Sequence, residues 1–274
     1  MNRIDALFNR LRGEGRRALM PFITAGDPDL ATTAALIIEM VARGAHMVEV
    51  GIPYSDPIAD GPVISASYHR ALTRGVKLDQ ILRMLRTLRA ETETGLLAPA
   101  PIVTMISYAI IHRTGVDHFL NRVRESGVDG LIVPDLPVEE SAGLLQLATD
   151  RGLKLIQLVT PTTPRDRALQ IARTTTGFLY YVSIAGITGE RREIPAELSE
   201  NVAWLRSQTT LPICIGFGIS TPEHIRKLAP VADGLIVGSA LVRKLADADT
   251  MPRSDIVKEV GMLVGELAKA LEVG

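Results

Sequence analysis

The chain has one cysteine, Cys214, among 274 residues. A lone thiol closes no internal disulfide, which fits a reducing compartment. Within Leu211-Pro-Ile-Cys-Ile-Gly216 it reads as a core thiol, because free Cys packs like a small hydrophobe. Aromatics are scarce, and no apolar run reaches the roughly 18 residues that a membrane span needs. The net charge is −1 with both signs interspersed, so neither a nucleic-acid groove nor a polybasic membrane patch is indicated. The start, Met1-Asn-Arg-Ile-Asp-Ala-Leu-Phe8, is too polar for a secretory signal, and a cytoplasmic location is expected. Lysine is rare: Lys77, Lys154, Lys227, Lys244, Lys258 and Lys269 complete the set. None ends a strand-like run, which leaves no candidate for imine chemistry. His46, His69, His112, His118 and His224 show no metal-ligand spacing, so no metal is expected. A Walker A loop, a strand-following G-x-G-x-x-G and a nucleophile elbow are all missing.

What the chain does have is alternation. Short apolar runs suggest strands at 18–24, 46–51, 101–106, 130–134, 153–160, 178–183, 212–216 and 234–238. Most are continuous rather than alternating, the pattern of strands covered on both faces of a parallel sheet. Between them lie segments with threefold and fourfold apolar spacing, among them 30–42, 78–89, 116–126 and 138–150. Ser220-Thr221-Pro222-Glu223 offers a hydroxyl cap followed by proline at the first helical position. The pentapeptide Asp-Gly-Leu-Ile-Val occurs at 129–133 and again at 233–237, which hints at equivalent strands. Eight strands in βα alternation favour a closed (β/α)8 TIM barrel over an open doubly wound sheet. Residues 1–16 read as an extra N-terminal helix closing the barrel bottom, and 255–272 as the last helix. No linker or low-complexity stretch divides the chain, so a single domain over 1–274 is expected.

The most informative stretch is Val48-Glu-Val-Gly-Ile-Pro-Tyr-Ser-Asp-Pro-Ile-Ala-Asp-Gly-Pro62. Glu49 lies inside an apolar run, where burying a charge is expensive. It is either a structural ion-pair partner or a carboxylate whose pKa burial raises for acid–base work. Asp60 follows on the next loop, and two carboxylates in different surroundings can take opposite roles. In such a barrel the site lies at the C-terminal strand ends. Glycines cluster after the last three strands, at Gly189, Gly218 and Gly238, the last followed by Ser239. These read as a phosphate cradle, or more plainly as tight turns. The stretch 185–199, with Gly186 and Gly189 around Thr188, suggests a lid.

The motifs Pro21-Phe-Ile-Thr-Ala-Gly-Asp-Pro28, Val48-Glu-Val-Gly-Ile-Pro-Tyr-Ser-Asp-Pro57, Ala59-Asp-Gly-Pro62, Val133-Pro-Asp-Leu-Pro137, Gly186-Ile-Thr-Gly189, Gly216-Phe-Gly-Ile-Ser220 and Gly238-Ser239 resemble the tryptophan synthase alpha family nearly end to end. The resemblance implies retro-aldol cleavage of indole-3-glycerol phosphate to indole and glyceraldehyde 3-phosphate. It implies acid–base transfer by Glu49 and stabilisation of the protonated indole N–H by Asp60. It places Phe22, Ile64, Met105, Tyr180 and Thr188 around the substrate, and Gly189, Gly218, Gly238 and Ser239 on its phosphate. Asp56 and Pro57 would face a beta subunit within an alpha2beta2 complex. That partner would carry pyridoxal phosphate, and no cofactor is expected in this chain.

The chain departs from the family pattern at Ala109-Ile110, where Asn-Pro is usual, at Ile184 in place of Arg, and at Ser65 in place of Gln. All three bear on partner contact or loop closure. The alternatives left open are a stand-alone lyase releasing free indole, a weakly active partner-activating module, and another phosphate-binding barrel such as an epimerase or isomerase.

Overall fold

A computed structural model describes residues 1–57, 60–91, 100–183, 196–216, 218–246, 248 and 250–272. Nine parallel strands form a nearly closed barrel: β1 (Ala18–Thr24), β2 (Val48–Gly51), β3 (Ile102–Met105), β4 (Gly130–Ile132), β5 (Lys154–Ile156), β6 (Leu158–Val159), β7 (Leu179–Val182), β8 (Ile213–Gly216) and β9 (Gly234–Val237). Their order is β5-β4-β3-β2-β1-β9-β8-β7-β6. The expected fifth strand is thus two strands, split at Gln157. Its side chain turns out to donate to the Thr174 carbonyl (2.6 Å) and hydroxyl (2.7 Å), while its own carbonyl accepts from Tyr180 N (3.0 Å). The first half pairs with β4 and the second with β7, so the chain itself joins the two ends of the sheet.

Side chains at alternate strand positions point inward. Met20, Phe22, Met47, Val103, Met105, Ile132, Ile156, Tyr180, Cys214 and Ile236 form one buried cluster, and the residues between them pack against the helices as a second. Cys214 is a free, buried thiol of that interior, as read from its surroundings in sequence. The N-terminal helix Arg3–Gly13 starts where the Asn2 side chain accepts from Ile4 N (2.8 Å). Its spaced apolar residues Ile4, Leu7, Phe8 and Leu11 plug the barrel bottom, with the Phe8 ring 5.8 Å from that of Phe178. The helix Leu30–Ala42 has the expected bounds. The expected 138–150 helix begins instead with a 3₁₀ turn, Val138–Glu140, before Ser141–Asp150. Pro137 is extended there, and Val138 and Glu139 lie in the tighter turn it opens into.

The repeated pentapeptide marks two equivalent corners. Asp129 precedes β4 and Asp233 precedes β9. Each carboxylate accepts the N–H that opens the preceding strand, Ile102 N at 2.9 Å and Ile213 N at 2.8 Å. Each is also met by an arginine from the helix before that strand, Arg89 at 3.3 Å and Arg206 at 3.1 Å. The first corner is the more buried, with the Arg89 and Asp129 side chains 9% and 5% exposed. Asp129→Ala removes the carboxylate that balances the buried Arg89 guanidinium and is expected to cost about 3–5 kcal/mol of stability. Asp233→Ala, whose Arg206 side chain is 39% exposed, is expected to cost about 1–2 kcal/mol. Urea midpoints of the two variants check the order, and equal losses would reject it.

Candidate active site

Glu49 points into the barrel near the mouth end of β2, in register with Phe22 on β1 and Val103 on β3. It is 1% exposed, and its Oε1 has no hydrogen-bond partner among the described residues. Among those residues no cation pairs with it, so the structural ion-pair reading fails. Burial, with the nearby charge of Asp60 second, pushes its pKa from 4.5 up to about 8. At neutral pH the group is an acid that still holds its proton.

Asp60 is placed by the chain around it. Its N–H donates to the Pro57 carbonyl (3.1 Å), and the Ser65 hydroxyl donates to its own carbonyl (3.4 Å). The helix Pro62–Thr73 begins two residues later, with proline at the first position, where no N–H is needed. That helix is clamped to the end of β1. The fully buried Asp27 carboxylate takes Arg70 Nε (3.0 Å) and Nη2 (2.5 Å) and Arg74 Nη1 (3.2 Å), and Thr24 and Ser67 share a 2.5 Å hydroxyl contact. The Tyr54 hydroxyl donates to Asp60 Oδ2 at 3.2 Å. Burial pushes the Asp60 pKa from 3.8 up to about 6, with the Tyr54 bond working the other way. The two carboxyls therefore ionise in order, Asp60 first.

Both carboxyls line one cavity of about 90 Å³ at the mouth of the barrel, together with Phe22, Ile64, Met105, Tyr180, Gly218, Gly238 and Ser239. Every expected substrate- and phosphate-contact residue among the described ones is therefore brought together. Thr188 and Gly189, with Ile184 and the expected lid as far as residue 195, lie outside the described residues, while its last four residues, 196–199, belong instead to the helix Ala196–Gln208. Gly218 has φ +77°, a conformation that favours glycine. Gly238 does not need glycine for its backbone (φ −112°), and a methyl there would lie 3.6 Å from Phe22. Its missing side chain keeps the cavity open. A side chain at Gly216 would collide with the Tyr180 ring, so that glycine makes room for the tyrosine.

Asp56 is exposed and Pro57 half-buried, and neither lines the cavity that holds the carboxyl pair. Asp56 lines a separate groove of about 900 Å³ with Tyr54, Ala109, Ile110, Arg113 and Asp135. Among the described residues, no group of three or more His, Cys, Asp and Glu side chains gathers as a metal site would, and no helix is long and apolar enough to cross a membrane.

Several lining residues escaped the sequence reading. Ile236 lies two before Gly238 on the same inward parity of β9, a period-2 signal that was available. Ile219 and Ser220 follow Gly218 directly. Ala240 and Arg243 belong to the short helix Ser239–Lys244, and Arg243 is the one cation on the cavity lining among the described residues. Spacing of four from Ser239 would have found it had that helix been expected.

The profile of the tryptophan synthase alpha chain family matches residues 8–272. The tryptophan synthase alpha chain of Rhodopirellula baltica is 52% identical over 274 residues, covering 99% of this chain and 98% of that one. The crystal structure of tryptophan synthase subunit alpha from Legionella pneumophila superposes with a TM-score of 0.89 at 35% identity, covering all of both chains. The tryptophan synthase complex from Pyrococcus furiosus gives a TM-score of 0.81 at 35% identity over 93% of this chain and 98% of that one. With the barrel, the paired carboxyls and these relatives in agreement, the chain belongs to the tryptophan synthase alpha chain family, the lyases that cleave indole-3-glycerol phosphate into indole and glyceraldehyde 3-phosphate.

Proposed function

We propose that Glu49 is the proton donor of this cleavage and Asp60 the anion that stabilises the cationic ring. Protonation at indole C3 by Glu49 converts the ring to an indoleninium and makes it a leaving group. The Asp60 carboxylate, ionised first, accepts the N1–H of that cation and favours it electrostatically. Ionised Glu49 then takes the proton of the hydroxyl on the carbon bonded to C3. The carbon–carbon bond breaks, its electron pair restores the aromatic ring, and the former carbinol carbon becomes the aldehyde of glyceraldehyde 3-phosphate. Protons balance, since the one Glu49 gives to C3 is replaced from the hydroxyl. The observation that carries this reading is the pair of carboxyls in one cavity with pKa values of about 8 and about 6.

Phe22, Ile64 and Met105 offer apolar walls for the ring, and Tyr180 a buried phenol beside it. Gly218, Gly238 and Ser239 would present backbone to the phosphate, and Arg243 at the rim adds the positive charge that a dianion beside two carboxyls calls for. Thr188 and Gly189 are assigned to closure and phosphate contact by family resemblance alone. Gly238→Ala tests the cradle. The variant is expected to fold, because its methyl finds ordinary contact distance, while KM rises about tenfold (~1.4 kcal/mol). An unchanged KM would remove Gly238 from the phosphate site.

The family works with a beta subunit. We place that partner on the face bearing Asp56, Pro57, Ala109 and Ile110, in an alpha2beta2 assembly in the cytoplasm, with pyridoxal phosphate held by the partner and no cofactor in this chain. The pure chain incubated with indole-3-glycerol phosphate, with and without a beta subunit, should release indole in both cases and faster in the second. Full activity alone with no stimulation would favour the stand-alone lyase, and no indole in either would end the assignment.

A further inference from the structure

A second buried polar group near the carboxyl pair has no role in the chemistry above. Tyr68 lies on the helix Pro62–Thr73, one turn after Ile64 and on the same inward face. It is fully buried, and its hydroxyl has no hydrogen-bond partner among the described residues. The hydroxyl occupies space that a side chain at Gly51 would fill, 2.8 Å from where that Cβ would sit. Gly51 is the next inward position after Glu49 on β2, so the phenol stands just mouthward of the glutamate. Its ring packs at 5.2 Å on Tyr54, the tyrosine that bonds Asp60. The Ser67 and Arg70 contacts described above flank it in sequence and fix the helix face it occupies.

Leaving a buried hydroxyl and a buried carboxyl oxygen unpartnered in one layer of the barrel is costly to the fold. The cost has a use if the two meet in a state other than the resting one. At rest Glu49 is protonated. Once it has delivered its proton, a bare carboxylate sits in an apolar barrel and needs a donor. We propose that Tyr68 is a positioning residue for the proton transfer, its hydroxyl turning onto Glu49 when that group ionises and so stabilising the carboxylate that turnover passes through. The inference rests on the acid role given to Glu49. The titratable groups that face Glu49 and Tyr68 in this layer are Asp60, Tyr54 and Tyr180, and burial first, with the field of Asp60, Tyr54, Glu49 and Tyr180 second, holds the phenol in its neutral, donating form. An interaction made in the transition state and not in the ground state shows in kcat and not in KM.

Tyr68→Phe keeps the ring and removes only the hydroxyl. Expected are a roughly tenfold fall in kcat, a KM within about twofold, and an unfolding midpoint no lower than that of the parent chain. The ionisation of Glu49 in the ligand-free protein, followed as the infrared carboxyl band that Glu49→Gln deletes, should move up by about one unit. That band reports the Tyr68–Glu49 contact without substrate, so it tests the contact even if Glu49 proves not to be the proton donor. An unmoved band overturns the proposal whatever happens to kcat, since a packing role alone would leave it in place. An unmoved kcat with a shifted band also overturns it, because the contact would then have no part in turnover.

Discussion

Replacing Glu49 with Gln is expected to lower kcat by about 10³-fold or more while KM stays within a few-fold of the parent chain. Gln fills the same volume, so the apolar walls and the phosphate cradle are undisturbed. What it removes is the transferable proton. The site is built around that proton: Glu49 is 1% exposed, unpartnered at Oε1, and held as an acid up to about pH 8. Asp60→Asn should act differently. It deletes a charge rather than a proton, so the loss should be about 10²-fold and should come from weaker stabilisation of the cationic ring. Steady-state rates of indole release with both variants, together with equilibrium binding of a phosphorylated indole analogue, separate the two roles. A Glu49→Gln enzyme with near-parental kcat would transfer the acid role elsewhere.

The sequence exposed Glu49 because a charge inside a continuous apolar run violates the pattern around it, and such a violation survives folding as a perturbed carboxyl. The strands were legible for the complementary reason, since each apolar run is covered on both faces. The twin Asp-Gly-Leu-Ile-Val segments were legible as equivalent, though not for why: both aspartates turn out to tie a strand start to the preceding helix. The break at Gln157 had one visible sign, a polar residue in an apolar run, but whether such a residue bends the strand depends on its finding Thr174. The roles of Tyr54 and Tyr68 were not legible. Tyr54 is tied to Asp60 by a single hydroxyl contact, and Tyr68 faces inward only because Asp27, forty-three residues away from Arg70, fixes the helix. A contact over forty-three residues, like that of Asp27 with Arg70, leaves no local signature. Arg243 was missed because Ser239–Lys244 is six residues long, too short for helical periodicity to register.

The same burial that makes Glu49 an acid gives stability and activity different responses to alkali. For catalysis, kcat/KM requires Asp60 ionised and Glu49 protonated, so it should rise through about pH 6 and fall through about pH 8. For stability, the unfolded chain loses the Glu49 proton near its ordinary 4.5 while the folded chain keeps it to about 8. Over that interval the folded state binds more protons, so the contribution of Glu49 to stability declines as pH climbs and is flat beyond it. Glu49→Gln removes this dependence. Its stability advantage over the parent chain should therefore widen by on the order of 3 kcal/mol between about pH 6 and about pH 9, two pH units of differential protonation at 1.36 kcal/mol each. Asp60, at about 6, titrates across the lower edge of this window, but it is present in both proteins, so it largely cancels. Urea midpoints of parent and variant at the two pH values measure the widening. Curves that stay parallel would mean that Glu49 ionises at an ordinary pKa. The falling limb of the rate profile would then need another owner.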